Sequence, residues 1–124
     1  MRYVRLYADS EGETHFEDVE DTMRVEDFAP PAEPFLVSEI RDATRFSFFE
    51  FPVGWVGVAH PAPRRQYFAV VQGAIEITVS DGESRIAKVG DVVLAEDTKH
   101  FVVTQVNRIA GYKPRVHRHH AKGS

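Results

Sequence analysis

Six histidines and no cysteine set the chemistry open to this 124-residue chain. The absence of thiols excludes disulfides, thiolate metal sites and cysteine nucleophiles. His60 stands just before a stiff Pro61-Ala62-Pro63 bend. With an unperturbed pKa of about 6.5, an imidazole can serve as acid or base near neutral pH. Glu50 lies in the phenylalanine-rich run RFSFFEF, residues 45–51. Facing inward between Phe46 and Phe48, its carboxyl would be desolvated, its pKa would rise and it would become a proton donor. The alternative is a Glu50 that faces solvent at the end of a strand. Arg64 and Arg65 follow the bend. A guanidinium fork matches a carboxylate or phosphate, and Arg64 is the residue expected to orient an acidic ligand. The alternative for both arginines is solvent exposure or pairing with the acids of the chain.

The elements that must position these groups read as short strands broken by Gly, Pro and Asp. Tyr3–Tyr7 and His15–Glu20 are expected as outer strands, and the proline-rich Phe28–Pro34 as a surface segment. The one stretch with helical periodicity is Val37–Ala43. RFSFFEF alternates as a strand with two buried faces. Period two places Gln66 and Phe68 on one face of QYFAVVQG, with Tyr67 opposite. It also places Val56 and Val58 on the His60 face, with Trp55 opposite and so assigned to packing or a dimer contact. AIEITVS puts Ile75, Ile77 and Val79 on one face, as expected of a strand with one wet side. Asp81-Gly82 between two alternating segments marks a hairpin, and Gly90-Asp91 a further turn into VVLAE. Strands this short and evenly spaced imply a sandwich or barrel.

The charge is uneven. All 19 acids, but only nine of the 15 Lys and Arg, fall within residues 1–97. So acidic a body repels nucleic acid phosphates, and no apolar run reaches the length of a membrane span. The N-terminus has no basic stretch leading into an apolar one, so no secretory signal is expected and a cytoplasmic location follows. The last residues, 111–124, are basic and carry His117, His119 and His120. They are expected to be a flexible tail beyond a single domain of residues 1–110.

Residues 54–73, GWVGVAHPAPRRQYFAVVQG, resemble the first sequence motif of the cupins. Gly54, His60 and Gly73 fall on its positions, with Ala62 and Gln66 where that family carries a second His and a Glu. Gly90-DVVLA-Glu96 resembles the start of the second motif, with Glu96 in place of a proline and His100 as the late histidine. HFEDVE, APPAEP, HPAPRRQY, SDGE and GDVVLAEDT are similar to stretches of small single-domain bacterial cupins. The resemblance implies an all-β fold, a cupin-like jelly-roll β-barrel. It also implies a metal set of His60, Gln66 and His100, holding zinc, iron, nickel or manganese.

Two imidazoles and a neutral amide bring no negative charge to a divalent cation, so a barrel without any cofactor stands equally open. In that case His60 is a pocket histidine with Gln66 as its hydrogen-bond partner. The inferred pocket is apolar with a few polar groups, which suits a small organic ligand. Its catalytic residues would be His60 and Glu50. Arg64, Gln66, Phe68 and Phe48 would bind substrate. The expected function is binding of a small organic molecule in the barrel, with metal-dependent lyase, isomerase or oxygenase chemistry centred on His60. The alternative is a non-catalytic binding or sensing module that has lost its metal centre, and a third is a purely structural dimerisation unit. A homodimer is expected, joined through Trp55, Phe49 and Phe51.

Overall fold

The computed structural model describes residues 1–57, 64–96 and 103–106, the last of these as backbone only. Among the described residues nine strands run in chain order: β1 (Arg2–Ala8), β2 (Thr14–Glu20), β3 (Arg24–Glu26), β4 (Phe35–Val37), β5 (Gln66–Ala69), β6 (Ala74–Thr78), β7 (Ser84–Lys88), β8 (Val92–Ala95) and β9 (Val103–Val106). The described residues contain no helix, and so none long and apolar enough to cross a membrane. The strands form a four-stranded sheet β2-β1-β8-β5, a three-stranded sheet β7-β6-β9 and a separate β3-β4 ribbon. The described strands do not close into a barrel.

Alternation explains the larger sheet. Leu6 and Phe16 face inward and are buried, as is Val93. Every neighbouring pair in this sheet is antiparallel except β1 and β8, which run parallel with Arg5 opposite Leu94. In the smaller sheet Ile77 and Val79 are buried, and Ile75 packs against them, as the period-two reading of AIEITVS requires. Leu6, Phe16, Ile77 and Val79 form one core cluster, and Val70, Ala87 and Val93 a second. Val4, Phe68 and Ile75 pack against both, so one continuous apolar layer joins the two sheets. Full burial of a Leu, Ile, Val or Phe side chain contributes about 1.5–3 kcal/mol.

Two hairpin turns are built alike. In the first, spanning Asp9–Glu13, the Gly12 amide donates to the Asp9 carbonyl at 3.1 Å, and Gly12 has a φ of 88°. In the second, spanning Val79–Glu83, the Gly82 amide donates to the Val79 carbonyl at 3.0 Å, and Gly82 has a φ of 96°. Each is a turn closed by a left-handed glycine, a three-residue hairpin loop in place of the two-residue turn that Asp-Gly alone suggests. Gly90, with a φ of 97°, turns the chain from β7 into β8.

Two expectations are corrected. RFSFFEF forms no strand: residues 45–51 carry no regular structure, with Phe46, Phe48 and Phe49 exposed at 84%, 80% and 68%. Alternation gives a segment two apolar faces, but a strand exists only where an edge accepts its backbone hydrogen bonds. Among the described residues the segment has none. Its rings pack on one another instead, Phe46 on Phe48 at 5.0 Å between centroids and Phe49 on Phe51 at 6.3 Å. Val37–Ala43 is not a helix either. Val37 ends β4, paired with Arg24 of β3, and residues 38–43 are irregular. The proline-rich stretch is exposed as expected, and its Pro30–Pro31 bond is cis.

Candidate functional site

The inward row of β5 carries Gln66 and Phe68. Gln66 pairs across the ladder with Ala95 and Phe68 with Val93. Both are half-buried, and Phe68 touches both core clusters. Gln66 thus sets an amide beside Phe68, Val93 and Ala95, at the start of β5. Of the proposed metal set, Gln66 is the described member, whereas His60 and His100 lie outside the described residues, as do Ala62 and Val58. Among the described residues no group of three or more His, Asp or Glu is arranged to hold a metal ion.

The other expected site residues lie elsewhere. Phe48 and Glu50 belong to the exposed segment 45–51 and to neither core cluster, so they are not brought to Gln66. Glu50 is exposed, which is its solvent-facing alternative. Arg64 is exposed two residues before β5. Arg65 takes the pairing role: its Nε donates to Glu96 Oε2 at 2.7 Å. Trp55 packs on Phe51 at 4.8 Å and lies over Gly57, where an added Cβ would come within 2.6 Å of the indole.

The outward face of the larger sheet is an arginine–tyrosine layer that sequence pattern alone does not single out. Tyr3 and Tyr67 meet edge to face at 5.8 Å. The Arg41 and Arg65 guanidinium groups lie 5.7 and 5.9 Å from the Tyr67 ring, within cation–π range. Arg41 also donates to both oxygens of Asp21, at 2.9 and 3.1 Å, which holds the Asp21 carboxyl below its usual range. Leu94, in register with Arg5 and Tyr67, is buried under this layer. Glu96 accepts from Arg5 as well as Arg65. Partial burial alone would raise its carboxyl pKa, but the bonds from Arg65 and Arg5 outweigh that and hold it low. A recess of about 370 Å³ beside the layer is lined by Asp21, Thr22, Arg24 and Glu39, all polar or charged, and does not suit an apolar ligand.

A second cluster joins the two sheets at the hairpin turns. Thr14 is fully buried. Its amide donates to Ser80 Oγ at 2.8 Å, and the Ser80 amide donates to Thr14 Oγ1 at 2.6 Å. The Thr14 hydroxyl donates to Ser80 Oγ at 2.8 Å. Next along β2, His15 lies between two carboxylates, with Nε2 at 2.7 Å from Asp9 Oδ2 and Nδ1 at 2.8 Å from Asp81 Oδ2. Hydrogen bonding to Asp9 first and Asp81 second raises the His15 pKa above its ordinary 6.5. Asp9 is held low chiefly by His15, and Asp81 chiefly by the Glu83 amide and then by His15. The glycines of both turns are visible in sequence, but not that the two turns meet at one histidine.

The chain matches no family model, no curated protein and no solved structure.

Proposed function

We propose that the protein binds a small organic molecule between its two larger sheets, beside Gln66 and Phe68, and that these sheets are walls of a cupin-like jelly roll. The observation that supports this most is the placement of Gln66: a half-buried amide in the inward row, next to Phe68, Val93 and Ala95. A few polar groups in an apolar surround orient a ligand, while the apolar wall supplies affinity. In this reading His60 binds the ligand or relays a proton at it. Arg64 attracts an acidic group at the rim. The protein acts in the cytoplasm as a homodimer.

The donor set fits a divalent metal poorly, because His60, Gln66 and His100 offer two imidazoles and an amide with no carboxylate to balance the charge. Metal-free binding therefore leads. A metal-dependent lyase, isomerase or oxygenase is the second reading, favoured by His60, which falls on a cupin motif position, and by His100, which comes one residue before the late histidine of the second motif. Metal content by mass spectrometry separates the two. The full chain carrying Ala at His117, His119 and His120 is incubated with zinc, iron, nickel or manganese and desalted, beside the same chain with His60→Ala. Metal-free binding predicts well under one equivalent in both. Near-stoichiometric metal that vanishes with His60→Ala would establish the metalloenzyme reading in its place.

A further inference from the structure

We infer that the His15 imidazolium is a pH-sensitive rivet between the β1–β2 turn and the β6–β7 turn, and that its deprotonation loosens the corner where the two larger sheets meet. The division of labour among the carboxylate oxygens supports this. Asp9 Oδ1 accepts from the Glu11 and Glu13 amides at 2.9 and 3.0 Å, shaping its own turn, while Oδ2 meets His15. Asp81 Oδ1 accepts from the Glu83 amide at 2.8 Å, shaping the other turn, while its Oδ2 also meets His15. Each turn is held locally by one oxygen and tied to the other turn through the second. The tie spans residues 66 positions apart in the chain.

Both ties require the doubly protonated ring. A neutral imidazole has one N–H and one lone pair. Loss of the proton would set that lone pair against a carboxylate oxygen less than 3 Å away, so one tie must open. The surroundings favour the cation. On β2 itself Glu17 shares the outward side of His15 by period two, Glu13 ends the β1–β2 turn just before it, and Glu83 sits in the β6–β7 turn. On β1 the Tyr7 ring lies 5.6 Å from His15, and the Arg5 guanidinium stands 4.3 Å from the centre of that ring. Arg5 is itself engaged by Glu17 and Glu96, so the local field is acidic.

The raised pKa of His15 and the lowered pKa values of Asp9 and Asp81 agree with this geometry. The signs define a window. The carboxylate contribution is present above the unfolded value of 3.8 and is lost as pH falls through the lowered folded values. The imidazolium contribution is complete below the unfolded value of 6.5 and is lost as pH rises through the raised folded value. The rivet is therefore whole in weakly acidic solution and opens as pH rises through the raised folded value of His15, above 6.5.

The test is NMR on the full chain between pH 4.5 and 9, following the His15 ring signals, assigned by their loss in His15→Gln, together with amide protection factors. The inference predicts a His15 midpoint above 6.5 and a fall of roughly threefold or more in the protection of the Glu13 and Glu83 amides across it. His15→Gln should show no such step. Asp81→Asn, which keeps the Oδ1 acceptor of its turn and the Asp9 bond, should move the midpoint back towards 6.5 and keeps the test alive if His15→Gln does not fold. A midpoint at or below 6.5, unchanged protection, or the same step in His15→Gln would overturn it.

Discussion

Thr14 shows how a small polar side chain can join two sheets. Its hydroxyl is fully buried and accepts from the Ser80 amide while donating to the Ser80 hydroxyl. Thr14→Val keeps the shape and removes the acceptor, stranding the Ser80 amide. Ser80 is itself exposed and this bond only part-buried, so its loss costs about 0.5–1.5 kcal/mol. Urea unfolding of Thr14→Val should show a loss of that size with little change in m value. A loss below about 0.5 kcal/mol would mean that water replaces the hydroxyl at this corner. Thr14 is not legible in sequence as a key residue, because its worth comes from a partner 66 positions away. Gln66 and Phe68 are legible, because period two alone assigns them to one face. Glu50 illustrates the limit: alternation leaves a buried and a solvent-facing carboxyl both open, and among the described residues the segment has no pairing edge and Glu50 is exposed.

At the scale of elements, local pattern is legible in the sequence and long-range pairing is not. The β6 alternation, the Gly82 turn and the Gly90 turn all follow from neighbours in sequence. The parallel pairing of β1 with β8 joins segments from opposite ends of the domain and leaves no mark in either one. Among the described residues, the segment 45–51 has strand-forming composition without a pairing edge, and Phe46 and Phe48 are the most exposed large apolar side chains. The homodimer reading places a second copy there. Sedimentation equilibrium of Phe48→Ser/Phe49→Ser should therefore give a dimer weaker than that of the unchanged chain by about tenfold or more in dissociation constant, which corresponds to about 1.4 kcal/mol of association free energy. Equal dissociation constants would place the interface elsewhere or remove it.

Across the whole molecule, two sheets share one apolar layer and are tied at one end by Thr14–Ser80 and by the His15 carboxylate pair, while Gln66 and Phe68 lie in the inward row of β5. On the proposed reading, a small molecule enters on the Gln66 side, away from these polar ties, and sits between the two sheets. The most direct measurement is a two-dimensional NMR titration of the full chain with a panel of small organic acids, beside Gln66→Leu. Binding between the sheets predicts saturable shifts of the Gln66–Ala69 and Val93–Ala95 amides, with affinity reduced about tenfold by Gln66→Leu, the effect of losing one hydrogen bond of about 1.4 kcal/mol. Saturable shifts confined to the Asp21–Arg24 recess, or affinity unchanged by Gln66→Leu, would contradict it.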